Sequence, residues 1–377
     1  MNPPFEINIY LKYKNPRARS QEASFSCDNQ FIAIHHRGLL VSFHFNLIAN
    51  FNMAVRVFIT GISGYIGGQL ATDFSRQHSE WQVVGLVRNE EQAQMIRSKL
   101  PSIQTVLGDL SSLDLLFQEA KKSNIVVQCA DCDNVSVVES LIKGLSEGGK
   151  GGSFIQMSGS ASNCEAPDGY GNASSRVYDD IKDLVEITTF DSSHMHWDAD
   201  QATIKQGRDL GVKTALVVPG LVYGEGDGPI KTKSMTFPWL EEAIIKRGKG
   251  FTVGQGKNSW SGVHVKDLAS VVILLIEDAL RQDGTRMTWG DDGVYYVSGR
   301  EYVLVDVVTK LAEVLSRQGL IQSQEVEKVS EEEAVSIHPY ALLMWGSNSR
   351  SKASRLQSFG WKPIQPTFYD MLASRLE

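Results

Sequence analysis

Short apolar runs alternate with helix-spaced stretches from about residue 53 to the end of the chain. "AVRVFIT" (54–60) and "WQVVGLVR" (81–88) are apolar and rich in β-branched residues, as buried strands are. "IQTVLGDL", "NIVVQCAD", "GSFIQMSGSA" and "VKTALVVPGLVYG" repeat the pattern, which makes six predicted strands. Between them lie amphipathic segments with helix end signals. "NEEQAQMIRSKL" opens on an asparagine cap, and "VSVVESLIKGLSEGG" closes on glycine. This alternation predicts an α/β fold: a Rossmann doubly wound parallel sheet with helices on both faces. Ligands of such sheets bind beyond the carboxyl ends of the strands. Thr60, Arg88, Asp109, Ala130, Ser158 and Pro219 fall at those ends, with Leu110 next to Asp109.

The turn after the first strand carries the strongest chemical signal. In "VFITGISGYIGGQL", Gly61, Gly64 and Gly67 separate a strand from a helix. The first glycine permits a tight turn, the second lets a pyrophosphate approach the backbone, and the third lets helix and strand pack closely. The helix then presents free amides and its positive end to the phosphates. Ser63, Tyr65 and Ile66 lie within the same turn and complete its predicted contacts. The end of the second strand selects the dinucleotide. An acidic residue there would accept from a ribose hydroxyl, whereas this chain has Arg88, with a planar fork suited to a 2′-phosphate. NADP is therefore expected in preference to NAD.

Taken together, "TGISGYIGG", "GDL" (108–110), "MSGSA" and "VPGLVYG" resemble the extended short-chain dehydrogenase/reductase family, the NAD-dependent epimerases and dehydratases. "VGQGKNSWSGVHVKDLA" (253–269), "VYYVSG" and "FGWKP" (359–363) continue the resemblance in order to the C-terminus. It has the flavour of an atypical, fungal-type member. The resemblance implies an oxidoreductase or epimerase acting on a hydroxyl or carbonyl of a small metabolite, such as a sugar nucleotide, aldehyde or ketone. A serine after the fifth strand would bind the substrate oxygen, and a tyrosine with a lysine four residues later would exchange the proton. The alternative is a dinucleotide-binding regulatory or scaffold protein without turnover.

Ser158 and Ser160 share the serine position, and Tyr178 with Lys182 forms the Tyr–Lys spacing, so these four are the expected catalytic residues. The spacing to the sixth strand is awkward. Pro219 lies 41 positions after Tyr178, where a helix, turn and strand should take roughly 25–30. A second helix candidate, opening near Ser192 or Ser193 and closing at Gly211, runs directly into that strand. It offers His194, His196, Asp198 and Asp200 where the usual pair would sit. Both arrangements stay open at this stage.

Composition narrows the picture further. The chain has 377 residues, is 42% hydrophobic and has a formal net charge of −7. That balance argues against a general nucleic-acid binder, and no apolar run is long enough to span a bilayer. Cys129 and Cys132 form an isolated C-x-x-C that reads as structural, so no metal is expected and a reduced cytoplasmic setting fits. Residues 1–52 lack sustained periodicity and read as a disordered extension or a start assigned upstream of Met53. Residues 53–224 form the expected nucleotide-binding core. Residues 225–377 form a smaller substrate lobe with segments returning to the sheet, where Trp260 and His264 would line or support the cleft. Arg350, Lys352 and Arg355, near a helix start, read as a solvated basic face, with contact to a substrate phosphate as the alternative. A homodimer through paired helices follows from the resemblance alone.

Overall fold

The computed structural model describes residues 32–36, 39–43 and 55–376. The chain divides into two units, Met1–Met53 and Ala54–Glu377. In the first, β1 (Ile32–His36) pairs antiparallel with β2 (Leu39–Phe43). The apolar "LLVSF" thus forms one strand of an antiparallel pair, where the sequence reading had assigned no strand. Cys27 and the expected start at Met53 lie outside the described residues.

The second unit begins with a run of strand–helix units. β3 (Arg56–Thr60), α1 (Tyr65–Gln77), β4 (Gln82–Val87), α2 (Glu90–Lys99), β5 (Gln104–Leu107), α3 (Leu113–Lys121), β6 (Ile125–Gln128), α4 (Val135–Glu147) and β7 (Ser153–Met157) follow in order. Next come β8 (Tyr178–Asp179), α5 (Leu184–Thr188), α6 (Trp197–Leu210), β9 (Lys213–Pro219) and β10 (Leu221–Tyr223). Then come α7 (Thr236–Arg247), β11 (Gly250–Val253), β12 (Ser259–His264), α8 (Val265–Ala279), β13 (Val294–Val297), β14 (Arg300–Val303) and α9 (Leu304–Arg317). β15 (Val326–Val329), α10 (Glu331–Ile337), β16 (Ser351–Lys352), α11 (Ser354–Ser358) and α12 (Phe368–Ser374) complete the unit.

Seven strands form one parallel sheet in the order β13-β9-β7-β6-β3-β4-β5. β3 and β6 are neighbours, so the chain reverses its direction of travel across the sheet there. Such a switch point opens a crevice at the strands' carboxyl ends. Successive residues of β3 serve opposite faces. Val57 and Ile59 pack with Leu70, Phe74, Leu268 and Val272, while Phe58 packs with Leu116, Val138, Leu141 and Phe154. Helices therefore cover both faces, and α8, far along the chain, lies beside α1. β13 also returns from the C-terminal half to extend the sheet at β9.

The remaining C-terminal elements pack around a second hydrophobic cluster that includes Phe237, Phe251, Tyr302, Trp345 and Phe368. The loop after β10 ties this part to α1. Tyr65 donates its hydroxyl to the Gly224 carbonyl at 2.6 Å, and the Asp227 amide donates to Gln69 Oε1 at 2.7 Å. Gly68 lets the backbone at Gly228 pass close by, since a Cβ on Gly68 would stand 3.2 Å from Gly228 Cα. Among the described residues, no helix is long and apolar enough to cross a membrane.

Candidate active site

The glycine turn between β3 and α1 is shaped by close backbone contact. Gly61 has φ +73°, and a Cβ there would stand 2.6 Å from the Cys129 carbonyl oxygen. A Cβ on Gly67 would stand 2.3 Å from the Gly61 carbonyl oxygen, so helix and turn meet only because both residues are glycine. Gly64 caps α1 with extended backbone and offers no side-chain cap. The first amides of α1 thus remain available to an anion. Ser63, Gly64, Tyr65 and Ile66 are all half-buried, as the wall of a shallow cradle would be.

Arg88 follows β4 and is exposed; its backbone amide donates to Gln92 Oε1. Asp109 lies in the turn after β5. Its carboxylate accepts from the Ser111 hydroxyl and amide and from the Ser112 hydroxyl, and these bonds hold it below the usual carboxylate range. Leu110 and Ala130 are half-buried and Pro219 is buried. Ala130 donates its amide to Gln128 Oε1, the same oxygen that accepts the Thr60 hydroxyl. Gln128 therefore joins the ends of β3 and β6 and sets the loop that follows. Gln156 supports this loop too, through Nε2 to the Cys132 carbonyl at 3.2 Å. Sequence reasoning missed both glutamines. Their signal is a polar side chain inside the apolar runs "IVVQC" and "FIQMS".

The end of β7 carries the most chemically distinctive contact. Ser158 is buried and its Oγ donates to Asp200 Oδ2 at 2.7 Å. Asp200 lies in the first turn of α6, and its Oδ1 is sealed from solvent with no hydrogen-bond partner. Loss of hydration pushes this carboxyl up to about 7, with the Ser158 bond lowering it and Asp133 raising it. His196, the cap residue of α6, holds left-handed backbone with φ 67°. Such a conformation is uncommon for histidine and recurs at functional sites. Its ring covers Gly159: a Cβ there would stand 2.8 Å from His196 Nε2. On the other side of the ring, Nδ1 lies 2.6 Å from Asp133 Oδ1 and 3.4 Å from Cys132 Sγ. Ser158, Gly159, Cys132, Asp133, His196 and Asp200 thus meet where β6, β7 and α6 converge.

Tyr178 and Lys182 do not share a helical face, which corrects the expectation from their spacing. Tyr178 lies in β8, whose partner is β16. Its ring is buried with Ile204, Leu216, Val218 and Tyr296, meets Phe190 edge to face at 5.5 Å, and carries the Arg176 guanidinium at 4.4 Å. Lys182 is exposed in the following turn. The Asp179 carboxylate accepts from the Ile181 and Lys182 amides, which satisfies those donors locally and breaks any helix. Of the other candidates, Ser160 is buried and His194 Nδ1 contacts the Ser162 carbonyl at 2.7 Å, while Asp198 is exposed.

The candidates of the C-terminal half are held by local hydrogen bonds and ion pairs. Trp260 donates its indole N–H to the Ser347 carbonyl, and His264 caps α8 by accepting from the Lys266 amide. Arg350 pairs with Glu301, and Lys352 lies 3.8 Å from Asp179. Arg355 is buried and donates to the Val294 and Asp180 carbonyls. Arg350 and Arg355 are therefore turned toward the protein, while Lys352 stays exposed.

Comparison with known proteins agrees with the architecture. No family model matches the chain. An Acremonium protein named oxidase ucsJ is 30% identical over 332 residues, covering 83% of this chain and 94% of the relative. A dTDP-glucose 4,6-dehydratase from Streptomyces venezuelae, solved with NAD and TYD, superposes with a TM-score of 0.61 at 17% identity, over 85% of this chain and 96% of that one. A UDP-glucuronic acid 4-epimerase from Bacillus cereus does so at 0.58 and 14%, over 85% and 98%. The chain belongs to the extended short-chain dehydrogenase/reductase family, whose members are NAD(P)-dependent oxidoreductases, epimerases and dehydratases. Within it, this site lacks a Tyr–Lys pair on the helix that enters β9.

Proposed function

We propose that this protein is an NAD(P)-dependent oxidoreductase, with NADP preferred, that interconverts a hydroxyl and a carbonyl on a small metabolite. The observation that carries the proposal is the cradle of Gly61, Gly64 and Gly67 at the uncapped start of α1. At Gly61 and Gly67 a side chain would strike the backbone that shapes the turn, so the turn that presents these amides needs glycine at both positions. Arg88, exposed at the end of β4, would meet the 2′-phosphate of NADP. Bound in this cradle, the nicotinamide ring supplies hydride exchange. The name oxidase on the Acremonium relative is consistent with redox chemistry on this scaffold.

The proton then belongs to the protein. We assign it to Ser158 and Asp200 rather than to Tyr178 and Lys182. During oxidation, Ser158 Oγ accepts the proton of a substrate hydroxyl and passes its own to Asp200 Oδ2. During reduction the two transfers reverse. A carboxyl pushed up to about 7 exchanges a proton readily near neutrality, as this role requires. Ser160 lies in the one-turn helix just beyond Gly159 and supports the turn that presents Ser158. The chain's three described thiols are unpaired, which accords with the expected cytoplasmic setting. A homodimer accords with the family.

The test is titration with NADPH and NADH, followed by turnover assays against a panel of small alcohols, aldehydes, ketones and sugar nucleotides. NADPH should bind more tightly than NADH, with the preference lost in Arg88→Ala. Failure of both dinucleotides to bind would overturn the proposal. Tight binding without turnover would favour a dinucleotide-binding regulatory protein, for which the core position of Tyr178 also speaks.

A further inference from the structure

We propose that Cys132, Asp133 and His196 form a binding site for a borderline divalent cation of the zinc type. This inference does not depend on the oxidoreductase reading. The three side chains offer a sulfur, a carboxylate oxygen and an imidazole nitrogen, all within 4.8 Å of one another. Cys132 Sγ lies 3.4 Å from His196 Nδ1, close to the ~3.5 Å edge of a tetrahedron built from standard Zn–S and Zn–N bonds. Asp133 Oδ1 is nearer, at 2.6 Å from the same nitrogen. Its side chain is 56% exposed, so it is free to move outward by the fraction of an ångström that a shared metal needs.

The surroundings favour a cation. Asp131 and Asp133 flank Cys132 in the same loop, and Asp200 lies in the first turn of the helix that His196 caps. Asp200 Oδ1 has no hydrogen-bond partner. No lysine or arginine is paired with any of these acids among the described residues. The site is also built rather than accidental. Gln128 and Gln156 fix the loop that carries Cys132 and Asp133, and the left-handed backbone at His196 directs its ring to that loop. A sulfur and an imidazole together select zinc or cobalt over magnesium or calcium. Three protein ligands leave a fourth position for water or a ligand oxygen. On binding, the Cys132 thiol releases its proton to solvent and the imidazole coordinates in its neutral form through Nδ1, with the remaining proton on Nε2.

The experiment uses the full chain, stripped with chelator and kept free of dinucleotide. Zn²⁺ is titrated by calorimetry, and Co²⁺ is added as a spectroscopic probe of thiolate coordination. One equivalent should bind, with a thiolate-to-cobalt charge-transfer band. Cys132→Ser and His196→Asn should each weaken binding at least tenfold; asparagine is chosen because it tolerates left-handed backbone. Cys164→Ser should bind as the parent does. Asp133→Asn, at an exposed position, serves if either of the first two variants unfolds. Absence of stoichiometric binding would overturn the site, as would binding unchanged in folded Cys132, His196 or Asp133 variants. Because dinucleotide is excluded, this failure is distinct from failure of the oxidoreductase reading.

Discussion

Ser158 Oγ donates to Asp200 Oδ2 at 2.7 Å, which joins the carboxyl end of β7 to the first turn of α6. That bond places a proton-holding pair on the helix that runs directly into β9. If it carries the proton, Asp200→Asn should lower kcat by about 10²–10⁴-fold, the usual weight of a general acid–base. Dinucleotide affinity should change little. Ser158→Ala should fall to a similar level, and the double variant should be no worse than the single ones, because the two act as a unit. Steady-state kinetics with separate dinucleotide titration reads both. A loss confined to KM would remove the pair from the chemistry.

Tyr178 gives the opposite expectation. Tyr178→Phe removes a hydroxyl from a ring already packed among Ile204, Leu216, Val218 and Tyr296. Lys182→Met changes an exposed side chain. Both variants should keep kcat within about threefold of the parent, where loss of a true acid–base would cost orders of magnitude. A kcat drop of a hundredfold or more in either would restore the Tyr–Lys assignment.

The contrast shows what the sequence could and could not reveal. Strands β3, β4, β6, β7 and β9 were legible because each is a largely apolar run, as burial on both faces demands, while the half-exposed edge strand β5 was legible from the strand–helix alternation. The glycine turn was legible because each glycine answers a steric need. The Tyr178–Lys182 pattern misled because spacing alone cannot register a competing hydrogen bond. The acceptor is Asp179, whose carboxylate holds the Ile181 and Lys182 amides. The distance from Tyr178 to Pro219 did carry the right warning, since α6 is the helix that reaches β9. The meeting of Cys132 with His196 had no such signal. It depends on a long-range approach of the loops after β6 and α5, set by buried glutamines and by the conformation of one histidine.

The cradle makes a separate prediction. Gly67→Ala would drive a methyl group to 2.3 Å from the Gly61 carbonyl oxygen, a backbone atom that cannot rotate away. The turn must open, and affinity for NADPH should fall at least about tenfold, equivalent to about 1.4 kcal/mol. Gly248→Ala, at the end of α7, has φ +77° but nothing near its Cβ. It should lose some stability and keep dinucleotide affinity. Equal loss of affinity in the two would mean that general destabilisation, rather than the cradle, controls binding.

Asp180 supplies a pH-dependent prediction outside the site. Its buried carboxyl accepts from the Tyr296 and Arg355 amides, and burial pushes it up to about 6 from an ordinary 3.8. A carboxyl raised on folding binds its proton more tightly in the folded state. Its stabilising contribution is therefore complete below the unfolded value and is lost as pH rises through the folded one. The window runs from about pH 4 to 6, and the loss is about 3 kcal/mol at ~1.4 kcal/mol per unit. Asp180→Asn cannot titrate, so it should start below the parent at pH 4 and draw level with it or overtake it by pH 6.5. Its amide also sets a donor against a backbone N–H, which lowers its stability by a pH-independent amount of about 1–3 kcal/mol. Urea denaturation of parent and variant across this range isolates the effect from other carboxylates, because only the difference between the two curves is read. A constant difference would mean that Asp180 is ionised throughout and held by the Arg355 side rather than by burial.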